Sequence, residues 1–261
     1  MGTARVVADF FWPEFGLCGL RPCDSHEISQ LNELKIDTEF LNQCQHCTDL
    51  GAIIMVEQMP IVGGYLGTVE QAVISDVATH LASFVLFSAT WHLDGPVHVR
   101  WGITTAREAL QVAGHAALAI DRNTDFIIGN QYYPIAGPCT EMCLLETAAQ
   151  AITDTCSGRE ILSGVASAKG VAVDYTTGME ARVMGEAALA ATKLTTAKAN
   201  EVLNAILALY EKRYKEFDAM GGKGKRFDQC YDTIKVRPTE EYIKVYENVM
   251  KKLEECGLPV K

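Results

Sequence analysis

The sequence lacks an excess of basic residues. Of its 261 residues, 23 are lysine or arginine and 33 are aspartate or glutamate, so the formal net charge is −10. A protein that follows a nucleic-acid backbone needs a basic surface to neutralise the phosphates. This charge balance argues against nucleic-acid binding and favours small molecules or proteins as partners.

Long hydrophobic runs are missing as well. The longest uncharged stretch, Val77 to Leu93, contains two histidines and several hydroxyl residues. It falls short of the roughly 18 apolar residues that a membrane span requires. The amino terminus carries Arg5, Asp9 and Glu14, with no apolar run that ends in a small-residue cleavage site. We therefore expect neither a membrane protein nor a secretory signal.

Cysteine is present but not dense. The nine cysteines are odd in number and scattered through helical patterns, whereas a disulfide framework is short and cysteine-rich. We therefore expect free thiols in a reducing cytoplasm. Cys44 and Cys47, with His46 between them, and Cys139 with Cys143 resemble metal-ligand pairs. Both pairs lie on predicted helices without a second CxxC at zinc-module spacing, so the sequence predicts no metal site.

Several catalytic motifs are absent. There is no G-x-S-x-G elbow and no G-x-G-x-x-G after a strand, which argues against hydrolases and dinucleotide enzymes. The segment Gly221 to Lys225 lacks the preceding strand and the following hydroxyl residue of a phosphate loop, so it is interpreted as a plain loop. The six histidines show no HExxH spacing, and His92 and His98 are interpreted as structural.

What is present is an alternation of short β-type runs with long helical patterns, as in β/α units around a parallel sheet. The predicted strands are Ile53 to Glu57, Val97 to Trp101, Asp125 to Gly129 and Ile161 to Val165. The predicted helices between them are Val69 to Ser88, Ala106 to Asp121 and Thr140 to Thr153. After about residue 175 three further helices are predicted, at Thr177 to Lys193, Ala197 to Lys215 and Glu240 to Cys256.

Four strands, or five if the region near residues 15 to 23 contributes one, make about half of an eight-stranded barrel. The predicted fold is therefore α/β, the carboxy-terminal half of a (β/α)8 TIM-type barrel followed by C-terminal helices. A parallel half-barrel leaves two strand edges unpaired and one face uncovered. We therefore expect the chain to be incomplete on its own.

The sequence also predicts where two helices begin and which face of one helix is buried. Thr68 with Gln71, and Thr177 with Glu180, are predicted capping boxes. Along the first of these helices a broad apolar stripe is predicted to pack inward. Its members are Val69, Val73, Val77, Leu81, Phe84 and Val85.

Polar residues stand where the predicted strands end, which is where β/α barrels place their reactive groups. They are Glu27, Glu57, Arg100 with Trp101, and the run Asn130 to Tyr133. Carboxylates, an amide and a phenol at one mouth suit protonation and hydrogen bonding of a small amine or carbonyl compound. The residues alone leave other roles open: Glu57 in a surface ion pair, and Gln131 and Tyr133 bonded to loop backbone.

Six long strings of residues resemble one family, the monomethylamine methyltransferases of methanogenic archaea. They are DSHEISQLNELKID (residues 24–37), IIMVEQMPIVGGYLG (53–67), WHLDGPVHVRWG (91–102), NQYYPIAGPCTEMCLLE (130–146), SGREILSGVASAKG (157–170) and TTGMEARVMGE (176–186). Their order and length make the resemblance specific from about residue 24 to the end.

The resemblance implies a (β/α)8 barrel whose mouth holds pyrrolysine, a lysine derivative with an electrophilic imine. Methylamine adds to the imine, its methyl group passes to the cobalt(I) of a corrinoid carried by a partner protein, and ammonia is released. It implies catalytic roles beside the pyrrolysine for Glu27, Glu57, Gln131 and Tyr133. It further implies no cofactor bound directly by the chain, a homo-oligomer that is a hexamer by family resemblance, and a cytoplasmic location.

Two features depart from the family. Residues 1–22 do not resemble it, and an ungapped extension of the match places the pyrrolysine just ahead of Met1, so we expect this chain to lack it. Val56 replaces the acidic residue that the family tends to have before Glu57. The predicted organisation is an atypical segment 1–22, a half-barrel 23–175 and a helical region 176–261 of the same domain. The alternatives are an inactive fragment or a methyltransferase for another methylated amine.

Overall fold

The computed structural model describes residues 23–30, 34–218 and 223–260. The predicted atypical segment 1–22 therefore lies outside the described residues. The strands are β1 (Ser25–Ser29), β2 (Ile53–Gln58), β3 (Ile61–Val62), β4 (Trp91–Asp94), β5 (Val97–His98), β6 (Ile128–Tyr132), β7 (Ile161–Val165), β8 (Tyr231–Asp232) and β9 (Arg237–Pro238).

The helices of the described residues are α1 (Thr38–Asp49), α2 (Val69–Leu86), α3 (Arg107–Asp121), α4 (Glu141–Cys156), α5 (Gly178–Ala191), α6 (Thr196–Tyr210), α7 (Tyr214–Phe217), α8 (Phe227–Cys230) and α9 (Glu240–Glu255). Short 3₁₀ turns lie at Ala168–Gly170 and Glu211–Arg213. Both predicted capping boxes are confirmed at the starts of α2 and α5. No helix in the described ranges is long and apolar enough to cross a membrane.

Five strands form one parallel sheet in the order β1-β2-β4-β6-β7. Each main strand therefore pairs with its neighbour in chain order, as in an α/β barrel. The predicted α/β class with a partial barrel is confirmed. β3 and β5 form a separate parallel pair, and β8 and β9 an antiparallel pair.

The pleat divides the strand side chains into two sets, because successive residues point to opposite faces. Ile28, Ile54 and Val56 lie on the helix-facing side, where they pack with Phe40 and Cys44 of α1. The opposite face carries Glu27, Ser29 and Glu57, and the first two of these are exposed. The helices therefore cover one face of the sheet.

Two predicted strands are corrected. The main-sheet strand is Trp91–Asp94, and Val97–His98 pairs with β3 outside the main sheet, whereas the prediction was Val97 to Trp101. Pro96 separates the two because it has no N–H for a central ladder. The strand predicted at Asp125 to Gly129 is Ile128–Tyr132. This strand contains polar residues, so its sequence pattern did not indicate a buried strand. Their buried hydrogen-bond partners are distant in sequence.

The prediction for the apolar stripe of α2 was wrong in part. The buried face of α2 consists of Ala72, Ser75, Asp76, Thr79, His80 and Ser83. Leu81 and Val85 are 42% and 73% exposed, while Val77 and Phe84 pack beside α3 residues. The helix turns polar groups inward because β4 presents polar groups, His92 and Asp94, to it.

The glycine-rich segment near residue 224 is a loop, as predicted, over the described residues Lys223 to Lys225. The N–H of Gly137 donates to the Lys223 carbonyl at 2.8 Å, and the N–H of Lys225 donates to the Pro138 carbonyl at 2.9 Å. A Cβ on Gly224 would lie 2.5 Å from the Gly137 backbone. The segment is therefore a close backbone contact with the loop that follows β6.

The cysteines of the described residues are free thiols, as the sequence predicts. Cys44 and Cys47 are buried in the apolar cluster between α1 and the sheet. Burial raises the pKa of each thiol to about 11. Both therefore act as small apolar side chains.

Candidate active site

Glu27, Ser29, Glu57 and Gln131 lie on the sheet face opposite the helices. Ser29 pairs with Glu57 in the register of β1 and β2, and Gln131 stands on β6, two strands farther across the sheet. All are close to the carboxyl ends of their strands, where barrel enzymes place reactive groups. The parallel register therefore brings together residues up to about a hundred positions apart in the chain.

Glu57 is the centre of the hydrogen bonds at this mouth. Its side chain is largely buried, and Gln131 Nε2 donates to its Oε1 at 3.1 Å. Ser29 Oγ lies 3.0 Å from Glu57 Oε2 and 3.3 Å from Glu27 Oε1. Because the hydroxyl has one proton, it donates to one carboxylate at a time. Ser29 thus links the two acids, although no motif in the sequence marks it as a site residue.

The Glu27 carboxyl titrates differently from a free glutamate. Burial, and then the charge of Glu57, raises the pKa of Glu27 to about 7. Burial, followed by the charges of Glu57 and Glu27, raises the pKa of Tyr133 to about 12. Near neutral pH, therefore, Glu27 exchanges a proton readily and Tyr133 keeps its own.

The titration of Glu27 gives a direct test of this geometry. Replacing Glu57 by Gln is expected to lower the pKa of Glu27 from about 7 toward its ordinary value of 4.5 without reaching it, because burial, the larger cause, remains. Carbon-13 NMR of the glutamate carboxyls measures this, with Glu39→Gln on the exposed side of α1 as the control. A Glu27 pKa that does not move in Glu57→Gln would show that the two carboxyls do not interact.

Tyr133 is positioned by its backbone and by a glycine. Its N–H donates to Thr104 Oγ1 at 2.9 Å, and the Thr104 hydroxyl in turn donates to Gln150 Oε1 at 2.7 Å. Gln150 Nε2 donates to the carbonyl of Gln131 at 2.6 Å. The ring passes close to Gly170, where a Cβ would lie 2.7 Å from Tyr133 Cε1. One buried glutamine thus holds both predicted polar residues in place.

A buried carboxylate fixes the loop that follows. Glu146 of α4 accepts hydrogen bonds from the N–H groups of Ile135 and Ala136 at 3.0 and 3.1 Å and from the Thr105 hydroxyl at 2.6 Å. Burial raises the pKa of Glu146 to about 7. The β6–α4 loop is therefore held by side-chain bonds, which no local pattern in the sequence indicated.

A cavity of about 290 Å³ opens beside Glu57. Its lining is Ser29, Gln30, Glu57, Gln58, Met59, Ile61 and Val97. Gln131 contacts a lining residue of this cavity, since its Nε2 donates to Glu57 Oε1. The space is of the size that small ligands use, and four of its seven lining residues are polar.

Not all of the predicted strand-end residues reach this mouth. Asn130 points to the helix side, where its Nδ2 donates to Asp154 Oδ1 at 2.8 Å. Arg100 and Trp101 lie in the turn after β5, where the guanidinium stacks 4.6 Å from the Trp101 ring centre. Glu27, Glu57, Gln131 and Tyr133 remain, joined by hydrogen bonds or by their mutual electrostatic influence.

The class of protein is defined by its fold and by the groups at the carboxyl ends of its parallel strands. These groups are paired carboxylates, an amide and a protonated phenol. This is a barrel-type α/β protein whose mouth is suited to a small amine or another small cationic group. The sequence comparison narrows the class: the family described as monomethylamine methyltransferase MtmB matches residues 3–258. The chain belongs to the monomethylamine methyltransferase family.

Individual relatives agree with this assignment. Monomethylamine methyltransferase MtmB of Methanosarcina mazei is 59% identical over 235 residues, covering 90% of this chain and 50% of that protein. MtmB2 of Methanosarcina barkeri is 57% identical over 240 residues, with 92% and 52% covered. The chain thus spans about half the length of the curated relatives it matches.

Solved structures agree as well. The crystal structure of the Methanosarcina barkeri monomethylamine methyltransferase matches with a TM-score of 0.92 and 54% identity, covering 99% of this chain and 55% of that one. The crystal structure of the hydroxylamine MtmB complex gives the same values. The family match begins at residue 3, so it includes residues of the segment 1–22, which was predicted to be atypical of the family. The boundary at residue 22 stays a prediction.

Proposed function

We propose that this chain supplies the carboxy-terminal half of a monomethylamine methyltransferase. The full-length enzyme transfers the methyl group of monomethylamine to the cobalt(I) corrinoid of a partner protein and releases ammonia. The single observation that carries this proposal is the Glu27–Ser29–Glu57–Gln131 constellation at the strand ends. It stands in a chain whose relatives are named for monomethylamine.

The first role of the constellation is to receive a positive charge. Glu57 is buried, and the two oxygens of its carboxylate already accept bonds from Ser29 and Gln131. A fixed carboxylate in a partly dry site attracts a methylammonium ion and stabilises positive charge that develops on nitrogen. Glu57 therefore acts as the electrostatic partner of the amine.

The second role is proton transfer. A group whose pKa is near the working pH both gives and takes a proton efficiently. Glu27 meets this condition, because burial and Glu57 raise its pKa to about 7. Glu27 therefore takes the proton of the incoming ammonium and returns a proton to the departing ammonia. Tyr133, with its pKa near 12, stays a hydrogen-bond donor throughout.

Gln131 positions rather than reacts. Its Nε2 is bonded to Glu57, and its carbonyl is held by Gln150. The family resemblance places pyrrolysine ahead of this chain. In the full-length protein this residue would supply an electrophilic imine. The residues described here orient the amine and hold the protons near that group.

The partners follow from the same proposal. The corrinoid belongs to a partner protein, so this chain needs no cofactor site of its own. The cytoplasmic location is proposed from the free thiols, and assembly into a homo-oligomer, a hexamer by family resemblance, is proposed as well. One solved relative is a hydroxylamine complex of MtmB, and hydroxylamine is, like methylamine, a small nitrogen base, which supports a small amine as the substrate.

A methyl-transfer assay tests the function. The full-length protein, expressed with pyrrolysine, is supplied with its corrinoid partner in the cobalt(I) state, and methyl-cobalt formation is followed by absorbance. Monomethylamine is expected to be the selective substrate, with dimethylamine and trimethylamine as the comparison. Preferential turnover of either larger amine would mean that the substrate is another methylated amine. Turnover of none would contradict the proposal.

A pair of glycine variants tests the position of Tyr133. Gly170 and Gly51 both have φ +67°, but a Cβ on Gly51 meets nothing within 4 Å, whereas one on Gly170 meets Tyr133. Alanine at either position is expected to cost about 1–2 kcal/mol of stability from the left-handed backbone. Gly170→Ala alone is expected to lower kcat/KM, by about 10- to 100-fold, because it displaces the ring.

Thermal unfolding and the methyl-transfer assay measure the two effects of these variants separately. The Gly51→Ala variant is the matched control, since it carries the same backbone strain without the contact. Equal activity of the two alanine variants would show that the position of the Tyr133 ring does not contribute to methyl transfer.

A further inference from the structure

We propose that Asp76, His80 and His92 hold a divalent metal ion of the zinc class, with Asp94 as the fourth ligand. The four residues lie between α2 and β4, on the helix side of the sheet. They are fully buried, and one ligand atom from each of Asp76, His80 and His92 lies within 4.8 Å of the other two. The site stands on the opposite face of the sheet from Glu57 and is independent of the proposed function.

The hydrogen bonds fix the proton on His80. Its Nδ1 lies 2.7 Å from the backbone carbonyl of Asp76. A carbonyl oxygen only accepts, so Nδ1 carries the proton and Nε2 keeps its lone pair in the neutral ring. This arrangement, a backbone carbonyl behind one nitrogen and a free lone pair on the other, is the one that metal-binding histidines use.

The proton on His92 is fixed through Ser83. The Ser83 hydroxyl donates its single hydrogen to the Thr79 carbonyl at 2.8 Å. Ser83 Oγ therefore accepts at its 2.7 Å contact with His92 Nδ1, which places the proton on Nδ1. The lone pair of His92 Nε2 is left over, as in His80, and the two rings lie 4.2 Å apart between centres.

These acceptors have no donor among the described residues. His80 Nε2, His92 Nε2, both oxygens of Asp76 and Oδ1 of Asp94 are buried without a hydrogen-bond partner. His80 Nε2 comes within 3.6 Å of Asp94 Oδ2, which is another acceptor. Buried polar groups are normally satisfied. A cluster made only of acceptors calls for a shared cation.

The nearest guanidinium makes no hydrogen bond to any of these acceptors. Arg159 donates to the carbonyls of Gly129 and Ala113 and to Asp94 Oδ2, and its Nε lies 3.1 Å from Asp154 Oδ1. Oδ1 of Asp94 makes no hydrogen bond within the described part of the chain. A single proton on Asp76 would satisfy one acceptor and leave the two imidazole lone pairs unpaired.

The buried charges point the same way. The carboxyls of Asp76, Asp94 and Asp154 surround one guanidinium, that of Arg159. When all three carboxyls are ionised, two negative charges remain uncompensated. A divalent ion brings this buried group to neutrality, which removes the main cost of burying it.

The ligand set fits zinc and a structural role. Two imidazoles and two carboxylates make a closed tetrahedral set with bonds of about 2.0–2.2 Å, which leaves no open position for a substrate. Such an ion holds ligand atoms about 3.3 Å apart, so the side chains draw together when it binds. Its effect is to tie α2 to β4, where the sequence had indicated only structural histidines.

Metal analysis of the full-length protein tests the site. About one zinc per chain is expected after growth with zinc and extensive dialysis, falling at least about tenfold in His80→Gln and in His92→Gln. His115→Gln, at an exposed position of α3, is the matched control and is expected to keep its zinc.

Because a His variant can fail to fold, a second measurement uses the unaltered protein. After chelation, added cobalt(II) is expected to give the visible bands of a tetrahedral nitrogen and oxygen site, and zinc to raise the thermal midpoint.

Two results would overturn the proposal. One is unaltered protein that contains no metal and shows neither cobalt bands nor a zinc-dependent thermal shift. The buried acceptors would then be satisfied by protons and ordered water. The other is zinc retained by both folded histidine variants, which would place the ion on cysteines elsewhere in the chain.

Discussion

Replacing Glu57 by Gln in the full-length enzyme is expected to lower kcat/KM for methyl transfer by about 10²- to 10⁴-fold. The amide keeps the shape of the side chain but removes the negative charge that faces the amine. It also replaces one of the two oxygens that accept from Gln131 Nε2 and the Ser29 hydroxyl with an NH2 donor. The loss therefore combines weaker electrostatic stabilisation with a disturbed orientation of the mouth.

The control for this variant is Glu39→Gln on the exposed side of α1, which removes one negative charge far from the mouth. It is expected to keep full activity. Folding is checked by the thermal midpoint, which should not fall in Glu57→Gln, because the change relieves the repulsion between Glu57 and Glu27. Near-normal turnover in Glu57→Gln would contradict the role assigned to this carboxylate.

The second large effect is expected at Arg159. Replacing it by Met is expected to lower the free energy of unfolding by about 3–5 kcal/mol, because the change leaves two buried carboxylates unpaired. Asp94 and Asp154 lie 2.6 and 3.1 Å from the guanidinium, and all three side chains are fully buried. The guanidinium also bonds the carbonyl of Gly129 at 2.6 Å, so the variant loses a tie to β6.

Denaturant unfolding of the full-length protein measures this loss. Arg213→Met is the control, since the pair of Arg213 with Glu216 is exposed and such pairs contribute little. Its unfolding is expected to match that of the unaltered protein within error. A similarly small change in Arg159→Met would mean that the buried carboxyls are protonated and need no partner.

The elements that could be predicted are those with a local signal. The capping boxes at Thr68 and Thr177 depend on side chains three residues apart, so the sequence specifies them directly. β7 was predicted with its observed bounds, Ile161–Val165. Glu57 and Gln131 were predicted as strand-end residues, because the end of a parallel strand faces the mouth wherever the strand pairs.

The elements that could not be predicted depend on distant partners. The polar face of α2 is buried because His92 and Asp94 stand opposite it on β4. Hydrophobic periodicity assumes an apolar partner, so it assigned the inward face to Leu81 and Val85. Ser29 was missed for the same reason, since a lone serine carries no signal until the register sets it against Glu57.

By itself, the sequence determined the α/β class, the family, the positions of most helices and the strand-end acids, because these follow from short-range periodicity, capping and long characteristic strings. The tertiary structure decided which of those polar residues share a face, which carboxyl has its pKa raised, and that Asp76, His80 and His92 converge. The physical reason is that pleat, register and burial are set by pairing between strands. The electrostatics of a side chain depend on neighbours that the linear order does not name.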